Sequence, residues 1–185
     1  NNIELVWYNL IDNCQFMFCE CYDITEIDLS NFDTSEATSM WRMLYYCSSL
    51  TSLNLSNFNT SKVTSMHDMF DGCSSLTSLN LSNFDTSKVE SMLGMFKYCS
   101  SLTSLNLSNF DTSKVISMQG MFENCINLEY INMKNFIETN LTLYSNIFKN
   151  VPDNIAVCIN QDNIKNKIYP QIQNIKCHIE DCTDD

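Results

Sequence analysis

A repeat of 26 residues runs through this chain without a gap and decides what it can fold into. Met17, Met43, Met69, Met95 and Met121 stand at one position of it, and Cys21, Cys47, Cys73, Cys99 and Cys125 at another. A unit that short cannot bury its own apolar side chains. Each must be covered by its neighbours, so the core runs along a stack of units rather than around a centre. That overrides the single globular domain which 185 residues would otherwise suggest.

Within each unit, a stretch such as Leu50-Thr-Ser-Leu-Asn-Leu-Ser-Asn-Phe58 alternates apolar and polar residues around Leu53 and Leu55. That is the signature of a short strand with one buried face. Asp-Thr-Ser follows, with Asn59-Thr60-Ser61 in one unit. Short side-chain oxygens of this kind cap helices. Then come Val63, Met66, Met69, Phe70 and Cys73, at offsets of 0, 3, 6, 7 and 10, the spacing of one helix face. The fold predicted is an α/β repeat solenoid, with parallel strands on a concave face and short helices on a convex one. Residues 1–16 read as a degenerate repeat or N-terminal cap, with Ile3, Val6, Ile11 and Cys14 in frame. Residues 17–150 hold five repeats. Residues 151–176 read as a closing strand, Ile155 to Ile159, and a cap carrying Ile164, Ile168, Tyr169 and Ile172. Residues 177–185 read as the start of an acidic linker, and the chain as a mature or excised fragment.

The pattern L-x-x-L-x-L resembles the leucine-rich repeat. The fuller string LTSLNLSNFDTSKV, followed by M-x-x-M-F-x-x-C, is similar to the 26-residue repeat of BspA-like bacterial surface proteins. The resemblance covers about residues 17–150, and the rows beginning at Met43, Met69 and Met95 match almost letter for letter. It implies a surface-exposed, non-catalytic binding module, an adhesin for host matrix proteins or other cells. Where leucine-rich repeats commonly place an asparagine in the turn, this chain has Phe58, Phe84 and Phe110. An aromatic plug is expected in place of a hydrogen-bonded ladder.

Composition narrows the partners. Ten Lys and Arg against 22 Asp and Glu give a net charge of -12, which repels phosphate backbones and anionic membrane surfaces. Nucleic acid is not an expected partner. No stretch approaches the roughly 18 apolar residues that span a bilayer, so no membrane insertion is expected within this fragment. Protein or glycan ligands remain, and a monomer is expected.

Little in the sequence suggests chemistry. The imidazoles are His67 and His178, and a nucleophile needs a base within reach. His67 falls on the outer face of the predicted helix, as a solvated side chain. Asp33, Asp85 and Asp111 recur before each helix, but without the glycine-rich loops of calcium-binding rolls they read as caps. No enzyme activity, cofactor or metal is expected. Cys177, His178 and Cys182 do not make a four-ligand zinc site.

Five of the ten cysteines occupy one position of the repeat. That position lies at the inward face of the predicted helix, and neighbouring helices pack about 8–10 Å apart, beyond the roughly 7 Å that a disulfide tolerates between Cα atoms, so the column should be buried free thiol. Cys14 and Cys19 lie near one end, and Cys158, Cys177 and Cys182 near the other. Cys158 with Cys177 or Cys182 is a candidate staple for the cap.

The outward strand positions are Ser52, Asn54, Ser56, then Ser78, Asn80, Ser82, then Ser104, Asn106, Ser108, a neutral carpet of hydroxyls and amides. Glu26 and Asp28 make one edge of this face acidic, and Tyr130, Asn132 and Lys134 give the other an aromatic and a cation. Trp41, Arg42, Tyr45 and Tyr46 form the most aromatic patch expected on the convex side. Near-identical rows suit weak multivalent attachment. Asn54, Asn80 and Asn106 also begin glycosylation acceptor sequences spaced about 5 Å apart. Glycans so crowded would not fit, which favours a bacterial cell surface over a eukaryotic secretory route. The alternatives are a structural spacer that projects another domain, or an intracellular protein-interaction scaffold.

Overall fold

The computed structural model describes residues 11–172 and the backbone of Cys177–Ile179. The repeats stack as successive rungs in parallel register. Strands β1 (Glu26–Asp28) and β2 (Ser52–Asn54) pair Glu26 with Ser52 and Asp28 with Asn54. Strands β3 (Ser104–Asn106), β4 (Tyr130–Asn132), β5 (Ala156–Cys158) and β6 (Cys177–Ile179) form a second parallel sheet in that order. Between the two sheets Ser78–Asn80 forms no strand, so the expected five-strand ladder is broken at that rung.

The predicted helices are not there. Among the described residues the only α-helix is α1, Tyr169–Ile172, in the closing segment. The stretch after each strand is a run of turns, and a second line of parallel bridges joins Ser39, Ser65, Ser91, Ser117 and Leu143. Alternate peptide units divide the work. Met40, Arg42, Leu44 and Tyr46 donate to Ser65, His67, Met69 and Asp71 of the next rung at 2.7–3.0 Å, whereas Met43, Tyr45 and Cys47 close turns within their own rung. A helix turns every N–H back along its own chain; here every second one leaves for the neighbour.

That alternation needs left-handed residues, and each rung supplies two. Arg42 and Tyr46, Asp68 and Gly72, Gly94 and Tyr98, Gly120 and Asn124, then Asn146 and Asn150 all have positive φ. Gly and Asn bear this conformation most easily, and all three glycines of the chain stand at these positions. The periodicity read as one helix face is the inward side of the turns: Val63, Met66, Met69, Phe70 and Cys73 are fully buried.

With the turn layer also hydrogen-bonded between rungs, its spacing matches the roughly 4.8 Å of paired strands. Among the described residues the two long faces of the stack are therefore a strand face and a turn face. Rings stack along the core, with Phe70–Phe96 and Phe96–Phe122 centroids 5.7 Å apart and Phe122–Phe148 5.5 Å apart.

The phenylalanine plug does not replace an asparagine ladder; both are present. Asn83 Nδ2 donates to the carbonyls of Leu55 and Phe58 at 3.1 and 2.8 Å, and Asn109 does the same to Leu81 and Phe84 at 3.0 and 2.9 Å. The asparagine simply stands one residue before the aromatic. Asp33, Asn59, Asp85 and Asp111 cap no helix either. Each accepts the N–H two residues on, from Ser35, Ser61, Ser87 and Ser113, closing an Asx turn.

The last rung is closed by its own chain. Glu138 stands where earlier rungs have Thr112, Thr86 and Thr60. Its carboxylate accepts the N–H groups of Asn166, Lys167 and Ile168 at 2.6, 2.8 and 3.0 Å. Lys167 Nζ reaches back to the carbonyls of Glu138 and Leu141. This clasp lays Ile164, Ile168 and Ile172 over the core, where all three are buried.

Candidate functional site: the strand face and the turn face

The strand face presents Ser52, Asn54, Ser56, Ser78, Asn80, Ser82, Ser104 and Asn106 to solvent, and Ser108 is half-exposed. The asparagines are partly engaged. Oδ1 of Asn54, Asn80 and Asn106 accepts the N–H of Ser56, Ser82 and Ser108 at 3.0–3.1 Å, which leaves the amide N–H groups out of these turns. At the acidic edge Glu26 and Asp28 are exposed. Asp28 is held below the usual carboxylate range by hydrogen bonds from Ser30 and Asn54.

The opposite edge differs from expectation. Asn132 is buried at 2% exposure and its Oδ1 takes the N–H of Lys134, so it forms no part of an accessible surface. Strand β5 covers it, pairing Asn132 with Cys158. Tyr130 and Lys134 are half-buried.

On the turn face Trp41 is sandwiched between Phe16, at 4.8 Å, and His67, at 5.7 Å. The Arg42 guanidinium lies over Tyr45 at 4.5 Å and over Trp41 at 5.6 Å. Arg42 Nε also meets Asp68 at 3.1 Å, and His67 Nε2 meets the same carboxylate at 3.2 Å. His67 is therefore not a solvated side chain but a stacked, half-buried one. Burial works against the Asp68 charge, yet His67 and Arg42 together outweigh it and hold the carboxyl below its ordinary range.

Asp71 lies beside this group and is placed quite differently. Burial, reinforced by the Asp68 charge, pushes its carboxyl up to about 7, against the opposing pull of Lys97 and Arg42. Its Oδ1 is buried without a hydrogen bond. Sequence reasoning missed the column this residue begins: Asp71, Lys97, Glu123 and Lys149 repeat at the 26-residue spacing with alternating sign. Glu123 bridges Lys97 at 3.1 Å and Lys149 at 2.9 Å. Comparing rows at this one position would have revealed it.

Among the described residues no group of three or more His, Cys, Asp or Glu is placed to hold a metal ion, and no helix is long and apolar enough to cross a membrane. Cys14, Cys19, Cys21, Cys47, Cys73, Cys99 and Cys125 are free, and Cys158 is disulfide-bonded. The side chains of Cys177, His178 and Cys182 lie outside the described residues.

These features define a strand-rich repeat protein that presents two ordered polar faces. The chain belongs to the family described as Mycoplasma protein of unknown function, DUF285, which matches residues 12–136 and 77–182. No curated protein and no solved structure matches it.

Proposed function

We propose that this chain is a BspA-like leucine-rich-repeat solenoid whose strand face is a non-catalytic binding surface on the outside of a bacterial cell, taking protein or glycan ligands in adhesion. The observation that carries this reading is the exposed array of Ser52, Asn54, Ser78, Asn80, Ser104 and Asn106. Its outward hydroxyls and amides recur at strand spacing, about 4.8 Å. Identical weak sites in a row gain affinity through multivalency. They lack the aromatic or Arg anchor that dominates single-site protein interfaces.

Attachment of the purified chain to dense layers of matrix proteins and of glycans tests this. The triple variant S52R/S78R/S104R, which alters only exposed positions, is expected to abolish attachment, and W41A/Y46A on the turn face to preserve it. The reverse pattern overturns the strand-face reading. The alternative, a spacer projecting another domain, is favoured by the engagement of Asn54, Asn80 and Asn106 in their own turns. It predicts no attachment by any variant.

A further inference from the structure

The cysteine column is arranged so that chemistry can enter from only one end. The thiols of Cys47, Cys73, Cys99 and Cys125 each donate to a carbonyl of the preceding rung: Phe18, Leu44, Phe70 and Phe96, at 3.0–3.2 Å. All four are at most 2% exposed. Cys21 heads the column, is half-exposed, and is free. Its thiol donates to no carbonyl among the described residues.

Rung spacing changes what two such thiols can do. Helices side by side would have kept them too far apart, but Glu20 and Phe18 donate directly to Tyr45 and Met43. Equivalent residues therefore lie about 4.8 Å apart, inside the 4.4–6.8 Å between Cα atoms that a disulfide spans. The Cys21 N–H and the Cys47 thiol both donate to the carbonyl of Phe18, at 3.3 and 3.0 Å, which brings the two residues together at one backbone group. Among the described residues no hydrogen bond holds the Cys21 thiol, whereas that of Cys47 is held by Phe18.

We propose that Cys21 and Cys47 are a reversible dithiol–disulfide site at the head of the thiol column, oxidised by exchange with a small-molecule disulfide of the glutathione class. The Cys21 thiolate attacks one sulfur of oxidised glutathione, forming a mixed disulfide and releasing one glutathione thiolate. Cys47 sulfur then attacks Cys21 sulfur, the mixed bond breaks, and the second glutathione leaves, taking up the proton that Cys47 loses. Two protein thiols and one glutathione disulfide become one protein disulfide and two glutathione thiols. Cys47 gives up its hydrogen bond to Phe18, and the link between the two rungs becomes covalent.

Burial pushes the Cys47 thiol up to about 12, so the second exchange is the slow one. The interior pairs share the spacing but not the entrance. Cys73–Cys99 and Cys99–Cys125 have no half-exposed member for a thiolate to act from.

The test uses the full chain with oxidised glutathione at pH about 8, near the ordinary thiol pKa, followed by alkylation, digestion and mass spectrometry. The expected result is a Cys21–Cys47 linked peptide that a dithiol reductant reverses, with Cys73, Cys99 and Cys125 alkylated only after denaturation. C21S is expected to abolish the link and C19S to retain it. A link through Cys19, a Cys21 mixed disulfide that never passes to Cys47, or equal oxidation of Cys73 and Cys99 would overturn the proposal.

Discussion

Thr60 Oγ1 donates to the carbonyl of Asp85 at 2.9 Å and accepts the N–H of the same residue at 2.8 Å. One buried hydroxyl thus satisfies both backbone groups of a residue in the next rung. Thr34 does the same for Asn59 and Thr112 for Ile137. Thr60→Val keeps the shape but removes the partner of two part-buried backbone groups of Asp85, each worth up to about 1–3 kcal/mol. A loss of roughly 2–4 kcal/mol in urea denaturation is expected. Thr60→Ser, which keeps the hydroxyl, should lose far less.

Asp71 makes stability depend on pH in a direction opposite to most carboxylates. Its folded pKa of about 7 lies above the ordinary value of 3.8. Its contribution is therefore fully present below pH ~4, declines as pH rises, and is gone above about 7. Arg42, Asp68, Lys97 and Glu123 face it and set the size of the effect. Asp71→Asn should raise the melting temperature at pH ~8 and remove the decline between pH ~4 and ~7. Melting curves across that window check both.

The left-handed positions should accept side chains unequally. At Gly94, φ is +58° and an added Cβ would stand 2.3 Å from Asp68 Oδ1, beside the ion pairs of Arg42 and His67. Gly94→Ala should destabilise by about 2 kcal/mol or more, combining strain with displacement of that carboxylate. At Gly120 the nearest atom is Glu123 Oε2 at 3.1 Å, the end of a flexible side chain. Asn already occupies left-handed positions at 124, 146 and 150. Gly120→Asn should stay within about 1 kcal/mol of the parent.

Glu138 holds the closing segment through three backbone N–H groups. Glu138→Ala should leave the rungs before it intact while exposing residues 164–172 to limited proteolysis and fast amide exchange. Unchanged protection there would show that the burial of Ile164, Ile168 and Ile172, with the bonds of Lys167 to the carbonyls of Glu138 and Leu141, holds the segment without the carboxylate.

How far the sequence could be read follows from what a periodicity specifies. Alternation around Leu53 and Leu55 fixes which side chains point inward, and the strands pair in the register the repeat dictates. Offsets such as Val63, Met66, Met69 and Phe70 also fix an inward set, but a run of turns with two left-handed residues buries the same side chains as a helix. The discriminating signal lay in Gly72, Gly94, Gly120 and Asn124, which fall on two recurring positions where a helix would favour neither. The strand-face array was readable because exposure follows from alternation. The Trp41–His67 stack and the pairing of Asp68 with Arg42 each join a single repeat position across adjacent rows, and reading that position as the solvated face of a helix hid them.

The turn layer is tied from rung to rung by its backbone, and through-hydrogen-bond scalar couplings measured by NMR read those bonds one at a time. A cross-peak from Leu44 N to the carbonyl carbon of Met69, with its counterpart from Phe70 to Met95, is the predicted result. A coupling from Leu44 N to the carbonyl of Met40, four residues back as in an α-helix, would contradict it.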